Sequence, residues 1–576
     1  MVQRQADTAT DRHRPAHARA GLVKPVLIAL WAALVLPGPV AERVAGLGAS
    51  ASLIAYFVLL GWTLLGIIAA AYIPSRPVRL GAALVFAGGA FVASASEAIT
   101  GGFMTYDVFV TLLMSAGFAG EAAAQFAGRM AGPAALSLLL AVAIGLAPAG
   151  RAKDRVQRLA PVVTALPVLA LLSVTALLFA RGGDGARGIA PSYPTIAYLA
   201  LFAAETVAAP GGPREEPALP RNGPAKARHV VLIVDESIAP AHLDVTSATG
   251  IATPLTSLPA DIAMANFGIV PSITNCSMGT NLALRFGGRR DNYRETIASG
   301  PSIWAYARKA GMRTVYIDAQ RTGGALHNAM GEDELALIDA HIQFDDVAVV
   351  DRDMAAADAL ARALSSTEPS FVLVNKVGAH FPVHDKFPDA FMVETPVLER
   401  GRYGAISDTG LRDGFDGTAQ SWQRYRNSYR NTLRWNVGRF FEALLDKAKL
   451  DDAVLIYTSD HGQDLHANGA AGLATHCTPE PRAVEGAVPL VVLSGGVELA
   501  IPHEALSEGS HYRIFPWVLA LMGYDRAAVR HRYGPALDST EPDPRTFNAR
   551  FNARLGRQPV WLPIDEAEAS TTIAAR

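Results

Sequence analysis

Apolar residues crowd into the front of this chain in five stretches, at about 22–41, 51–74, 80–99, 133–149 and 159–180. Each approaches the ~20 residues that a helix needs to cross the hydrocarbon core of a bilayer. Hydrocarbon offers no partner to an unpaired backbone amide, so such stretches are restricted to spanning helices. The first and fourth stretches are short and marked by prolines. A cleaved signal peptide is the competing reading of the first, but its basic tail is long, no small-residue cleavage site stands out, and further spans follow.

Charge placement orients these spans. Arg4, Arg12, Arg14 and Arg19 precede the first, Arg76 and Arg79 separate the second from the third, and Arg151, Lys153, Arg155 and Arg158 separate the fourth from the fifth. The alternate loops carry only Arg43 and Arg129. Basic loops stay on the cytoplasmic side, so five spans with the N-terminus inside place everything after about residue 181 on the outer face. A net charge of −2 gives no electrostatic footprint for nucleic acid.

Residues 206–228, rich in Pro, Gly and charge and without apolar periodicity, read as an extended linker. After it, short β-branched runs at 229–234, 313–318, 370–376, 453–458 and 488–494 alternate with helical patterns near 302–311, 353–364 and 427–449. That alternation predicts an α/β domain with a mainly parallel sheet and helices on both faces. The last stretch, 551–576, lacks periodicity and is expected to be a surface tail.

The run Ala453-Val454-Leu455-Ile456-Tyr457 leads into Ser459-Asp460-His461-Gly462, so a buried strand ends on two adjacent metal-ligand side chains. Strand carboxyl ends are where open α/β sheets bind ligands. A buried carboxylate and imidazole are costly unless paired or bound to a cation. The first strand of the domain also ends on acids, at Asp235-Glu236-Ser237. The segment Pro271 to Thr280 leads into a helix at Asn281 to Phe286. A hydroxyl at that helix start has free N–H groups and the positive dipole end beside it, and a nearby cation lowers its pKa further. Ser277, read as the N-cap, is the first choice of nucleophile, with simple capping as the alternative role. Thr274 in the approach loop and Thr280 at the third helical position are its rivals.

His380 and His384 follow the run that ends at Lys376, and His476 lies in the irregular segment Thr475-His476-Cys477-Thr478-Pro479. Such histidines can bind phosphate oxygens, protonate a leaving oxygen or hold a second cation. A solvated loop side chain competes with that reading, most strongly at His384. Lys386 and Arg285 could neutralise phosphate charge or simply lie on the surface. Cys276 and Cys477, the only two cysteines, adjoin candidate residues and leave two readings open, a disulfide or two unrelated buried thiols.

Val-Asp-Glu-Ser at 234–237, Thr-Asn-Cys-Ser at 274–277, Val-Gly-Ala-His at 377–380, Ser-Asp-His-Gly at 459–462 and Thr-His-Cys-Thr-Pro at 475–479 together resemble motifs of the alkaline phosphatase and sulfatase superfamily. The resemblance is strongest to its membrane-anchored phosphoethanolamine transferases and their relatives, the lipoteichoic acid synthases and phosphoglycerol transferases. It covers nearly the whole chain. Those transferases carry five spans before a periplasmic catalytic domain, and Thr105-Tyr106-Asp107 to Glu121 is similar to their interfacial helix.

The resemblance implies an α-helical five-span membrane domain over 1–205 with an interfacial segment near 101–130, then an α/β alkaline phosphatase-like catalytic domain over 229–550. It implies a bacterial inner-membrane protein, monomeric, with that domain in the periplasm. A divalent cation, zinc or manganese, is expected on Glu236, Asp460 and His461 beside Ser277. His380 and His476 are expected at the reacting groups, with Glu121, His384 and Lys386 as substrate contacts. The implied reaction moves a substituted phosphoryl group, phosphoethanolamine first, from a membrane phospholipid to lipid A or another envelope lipid or glycan through a covalent phospho-enzyme.

A phosphoglycerol transferase and a membrane-tethered phosphodiesterase or sulfatase-type hydrolase are the alternative enzymes. The absence of Cys-x-Pro-Ser-Arg speaks against sulfate esters, and a membrane sensor or scaffold on a decayed transferase fold is the non-enzymatic reading. The chain also departs from the family. Aligning Cys276 puts Ser277 at the family's glycine and Met278 at its threonine nucleophile, and the partner of the family's local disulfide is missing. Leu113 and Gly117 stand where polar donor contacts are expected.

Overall fold

The computed structural model describes residues 14–100, 102–114, 119–147, 157–208, 213–401, 415, 417–467, 474–478, 480–552, 555 and 557–570. Arg4, Arg12, Arg151, Lys153, Arg155 and Gly117 lie outside the described residues. The chain divides into two compact units, Met1–Pro210 with Ala553–Arg557, and Gly211–Asn552 with Gln558–Arg576.

Among the described residues of the first unit, four helices are long and apolar enough to cross a membrane: Ala51–Ala71, Arg76–Thr100, Phe126–Gly145 and Ala160–Ala180. A fifth span is met only by a bent pair, Leu22–Val35 with Pro37–Leu47, at 50°. The proline-marked stretch over 22–41 thus folds as two helices rather than one. Pro37 opens the second of them, because proline lacks the N–H that would continue the preceding helix and clashes with its last turn. The fourth stretch belongs to a longer helix, Ala119–Gly145, which kinks where Phe126 leaves helical geometry at φ −109° and ψ 17° and which contains Pro133.

Ile54, Val58, Leu84, Leu138, Leu172 and Phe179 stand exposed on these helices, an outer surface that lipid accepts and water penalises. Two buried cations contact helix ends. Lys24 Nζ donates to the carbonyls of Ile144 and Leu146 at 3.0 and 2.5 Å, and Arg79 donates to those of Ile73 and Gly145 at 2.7 and 3.3 Å. These cations satisfy carbonyls left over at helix C-termini. They also bring together the start of the first span, the end of the second, the start of the third and the end of the fourth, the alternation that the arginine placement requires.

The helix Tyr106–Met114 falls in the expected interfacial segment. A further helix, Ser192–Ala208, occupies the end of the membrane region and the start of the expected linker. Gly89 lets it approach the helix Arg76–Thr100, since a Cβ there would lie 2.6 Å from the Ser192 carbonyl oxygen. Thr195 Oγ1 donates to the Gly89 carbonyl at 2.8 Å.

The second unit is built on strands β1 (His229–Asp235), β2 (Ile262–Pro271), β3 (Arg313–Asp318), β4 (Ala340–Ile342), β5 (Ser370–Asn375), β6 (Ala453–Ser459) and β7 (Ala487–Gly495). Their order across the sheet is β2-β7-β6-β1-β5-β3-β4. Strands β6, β1, β5, β3 and β4 run parallel, whereas β7 is antiparallel to both β6 and β2. Side chains alternate across a strand, so Val231 and Ile233 of β1 join one core with Leu360, Phe440 and Leu444, while Val230, Leu232 and Val234 join another with Trp304 and Phe515. Burial on both faces explains the uninterrupted apolar run.

The helical pattern expected over 427–449 begins earlier, at Ala419, and passes through a π-helical turn at Arg434–Arg439 into Phe440–Lys447. Its stripe of Leu433, Val437, Phe440, Phe441 and Leu444 is fully buried. Described residues of the expected linker lie along this unit, with Lys226 N donating to the Leu521 carbonyl at 2.7 Å. The expected tail is not loose throughout: Trp561–Pro563 pairs antiparallel with Thr546–Asn548, and Ala569 is buried on the helix Glu566–Ala569.

Candidate active site

Parallel register brings the strand ends to one edge: Asp235 of β1 is level with Ser459 of β6, and Asn375 of β5 is level with both Val234 of β1 and Asp318 of β3. The chain turns sharply after β1 and β5. Ser237 takes a left-handed φ of 63°, a conformation that costs a residue with a Cβ on the order of 1 kcal/mol. Its own contacts offset that cost. Ser237 N donates to Asp460 Oδ1 at 3.0 Å, its hydroxyl donates to Glu236 Oε1 at 2.9 Å, and its carbonyl accepts from Tyr429 at 2.8 Å. Gly378, at φ 53°, passes so close to β1 that a Cβ would lie 2.3 Å from Asp235 Oδ1.

Glu236, Asp460 and His461 present ligand atoms that all lie within 4.8 Å of one another, and all three side chains are buried. His461 Nδ1 sits 2.8 Å from the Gly462 carbonyl. A carbonyl can only accept, so Nδ1 carries the proton and Nε2 faces Glu236 Oε1 at 3.4 Å and Asp460 Oδ2 at 3.6 Å. Asp460 Oδ1 accepts from the backbone N–H of Ser237 and His461, whereas its Oδ2 is buried with no hydrogen-bond partner among the described residues. A carboxylate oxygen left in that state calls for a positive partner. The donor set of two carboxylates and one imidazole suits zinc or manganese.

Electrostatics agree with that arrangement. Burial works against the charge on Glu236, but the hydrogen bond from His461 and the fields of His380 and His461 hold its carboxyl well below the usual range. Burial, with Glu236 beside it, pushes Asp460 up to about 7. Burial also opposes charge on His461, yet Asp460 and Glu236 raise it to about 9. Without a cation, one proton therefore sits among these groups.

Ser277 opens the helix Ser277–Phe286, with Cys276 rather than Ser277 at the N-cap. The expected cap is thus corrected by one residue, which frees the Ser277 hydroxyl from capping. Its Oγ lies 3.1 Å from His461 Nε2 and 3.3 Å from Glu236 Oε1. The rival hydroxyls are engaged elsewhere. Thr280 Oγ1 exchanges hydrogen bonds with the Thr274 backbone at 3.2 and 3.3 Å, and Thr274 Oγ1 reaches Asn275 Oδ1 at 3.4 Å.

The His476 ring stacks on His461, with centroids 4.2 Å apart and planes at 22°. His380 is close enough to lower the Glu236 pKa, and its Nδ1 lies 2.8 Å from the Phe381 carbonyl. Lys386 is buried beside Asp385 and Arg352, and burial lowers its pKa to about 7. His384 is buried with its Nε2 3.8 Å from Asp385 Oδ2 and packs edge-on against Phe381 at 6.0 Å. Arg285 is structural: it grips Glu334 with two nitrogens at 2.9 and 3.2 Å. Glu121 lies on the helix Ala119–Gly145 of the other unit, and its side chain falls outside the described residues. Cys276 and Cys477 form a disulfide.

Several supporting residues had no sequence signal. Gln320, just past β3, donates to Glu236 Oε2 at 3.1 Å and to the Lys376 carbonyl at 2.8 Å. Beneath the cluster, Lys376 Nζ lies 2.5 Å from Asp235 and 3.8 Å from Asp353, all fully buried, and Tyr457 donates to Asp235 at 3.0 Å. Asp353 accepts from Val377 N and Gly378 N at 2.7 and 3.0 Å, which holds the turn that leads to His380. Such a partnership depends on segments distant in sequence, so only pairing of the parallel strands reveals it.

The model of the family described as Sulfatase matches residues 228–524. No curated protein matches the chain. Among solved structures, the integral membrane lipooligosaccharide phosphoethanolamine transferase A from Neisseria meningitidis is 20% identical, with 87% of this chain and 96% of that one covered and a TM-score of 0.59. The C-terminal periplasmic domain of EcEptC from Escherichia coli, solved in complex with Zn, is 15% identical over 61% of this chain and 96% of that one, with a TM-score of 0.48. The Neisseria likeness is one of fold, an apolar helical region followed by an α/β domain with a mostly parallel sheet. With the family model spanning just over half of its 576 residues and containing Glu236, Ser277, Asp460 and His461, the chain belongs to the Sulfatase family.

Proposed function

We propose that this protein is a membrane-anchored, cation-dependent phosphotransferase. It moves a substituted phosphoryl group, phosphoethanolamine in the first instance, from a membrane phospholipid to a hydroxyl or phosphate of an envelope lipid or glycan such as lipid A. The observation that carries this reading is the Ser277 hydroxyl at a helix N-terminus, 3.1 Å from His461 Nε2 and 3.3 Å from Glu236 Oε1. The apolar outer surface of the helical unit supports a lipid donor, and similarity to the Neisseria phosphoethanolamine transferase supports the head group. Arginine placement supports an orientation with the α/β unit outside the cytoplasm; the protein is accordingly read as a monomer of a bacterial inner membrane with that unit in the periplasm.

A divalent cation on Glu236, Asp460 and His461 would supply Lewis-acid charge that lowers the pKa of the Ser277 hydroxyl and offsets phosphoryl oxygen charge. Ser277 Oγ gives its proton to water and attacks phosphorus, and the phosphorus–oxygen bond to diacylglycerol breaks. His380 or His476 gives a proton to the departing oxygen. In the second half, the acceptor oxygen attacks the phosphoserine, its proton returns to the same histidine, the serine–phosphorus bond breaks, and Ser277 Oγ regains a proton from water. N–H groups of the Ser277 helix start face the anionic group in both halves.

The test is to incubate the protein in vesicles with head-group-labelled phosphatidylethanolamine and sequence the labelled peptide by mass spectrometry. Label on Ser277 supports the reading. Label on Thr274 or Thr280 moves the nucleophile, turnover with no trapped label makes water the direct attacker and the protein a hydrolase, and neither label nor turnover overturns the proposal.

A further inference from the structure

The two cysteines take no part in the chemistry proposed above, yet each adjoins a residue that does. Cys276 precedes Ser277 and Cys477 follows His476; the disulfide joins them across 201 residues, with Cα atoms 4.8 Å apart. We propose that this disulfide is the positioning clamp of the reaction, holding the Ser277 hydroxyl and the His476 ring against the Glu236, Asp460 and His461 cluster, so that full turnover requires the oxidised form. The inference rests on the phosphoryl-transfer reading for its kinetic consequence, and on geometry alone for the clamp.

Neither of these two groups sits on a strand of the sheet. Ser277 begins a ten-residue helix entered from the loop after β2, and His476 belongs to an irregular segment with no strand or helix of its own. Between them the bond is reinforced by two hydrogen bonds, Cys477 N to the Asn275 carbonyl at 2.9 Å and Asn275 Nδ2 to the Thr478 carbonyl at 3.2 Å. Glu485 ties in both sides, accepting from Asn275 Nδ2 at 2.9 Å and from Thr478 Oγ1 at 2.7 Å. Cys477 holds a left-handed φ of 55°, a conformation that a residue with a Cβ leaves readily once its restraint is gone. Catalytic groups must stay within about 0.5 Å of productive geometry. Cutting the bond therefore loosens both sides of the centre at once, while Glu236, Asp460 and His461, fixed by strand ends, keep their places.

Cys477 is exposed and Cys276 partly so, which lets a reductant reach the bond. A water-soluble phosphine does this without binding the cation as a dithiol would. Phosphorus donates two electrons to the sulfur pair and takes an oxygen from water, and the two protons of that water end on the two thiols.

The experiment compares full-length oxidised protein, phosphine-reduced protein and the Cys276→Ala/Cys477→Ala double variant, with thiol content counted by mass spectrometry. Read-outs are amide hydrogen exchange over 273–286 and 474–478, cation content, and kcat with KM on the labelled phospholipid. The expected result on reduction is faster exchange in both segments, retained cation and a kcat at least about tenfold lower. Reoxidation should restore it, and the double variant should match the reduced protein and ignore the phosphine. Unchanged exchange after verified reduction overturns the clamp, as does faster exchange with unchanged kcat. Oxidised protein that turns over no phosphodiester counts against the phosphoryl-transfer reading instead, and hydrogen exchange then decides the clamp by itself.

Discussion

At Ser277 and His461, small distances decide the chemistry. The Ser277 hydroxyl is the one of three candidates that reaches the buried ligands, so Ser277→Ala should lower turnover by at least about a thousandfold, the loss expected when a covalent nucleophile is removed. Cation content, measured by elemental analysis, should stay unchanged; its loss would make Ser277 mainly a ligand. His461 offers a second prediction. Asp460 and Glu236 raise it to about 9 against the opposing effect of burial, so at pH 7 the cation-free protein carries a proton that zinc must displace. Zinc titration calorimetry in two buffers of different ionisation enthalpy should report the release of about one proton. Apparent affinity should fall about tenfold per pH unit below 9, and more steeply below about 7, where Asp460 also binds a proton.

Among the elements, the β1, β3, β5 and β6 ends cooperate. Gln320, from the β3 end, fixes the outer oxygen of Glu236, so Gln320→Ala should weaken zinc binding by roughly 10- to 100-fold, as losing an outer-shell partner does. Competition with a chromophoric chelator measures that, and an unchanged constant would show that Ser237 alone orients the glutamate. Lys376 of the β5 end neutralises Asp235 and Asp353 from complete burial. Burial pushes Asp235 up to about 6 even with Lys376 pulling it down. Lys376→Met should cost about 3–5 kcal/mol near pH 8 by stranding buried charge. The sign with pH follows: removing the cation raises the folded carboxyl pKa values further, so the deficit shrinks as pH falls and the carboxyls protonate. Denaturant melts at pH 8 and pH 5 test this, and equal deficits would place the loss in packing against Phe440, whose ring lies 4.3 Å from Lys376 Nζ.

For the molecule as a whole, the helical unit and the α/β unit have separate cores. A chain truncated to begin at residue 213 should bind zinc with unchanged affinity and cleave a soluble phosphodiester. Against phospholipid in vesicles it should lose at least about a hundredfold in rate, because it no longer shares the surface that holds its donor. Equal rates on both substrates would remove the lipid from the reading.

Much of this was legible in residue order. Long apolar stretches and arginine placement are local signals, and a β-branched run ending on Ser-Asp-His-Gly marks both a strand and its ligands, since strand burial and ligand chemistry are written side by side there. The break at Leu36-Pro37 and the early start at Ala119 were less legible, because proline and kinks shift helix limits without changing apolarity. The directions of β2 and β7 were not legible, for an apolar run has the same pattern in either direction.

Sequence by itself determined that this chain puts an apolar helical region before an α/β domain, and that acids and a histidine end its strands, because periodicity and adjacency are properties of the chain. Tertiary structure alone decided which hydroxyl meets those ligands, that Cys276 and Cys477 are joined, and that Gln320 and Lys376 support the site. Each of those facts is a distance of a few ångströms between segments 40 to 200 residues apart, which neither periodicity nor adjacency along the chain fixes.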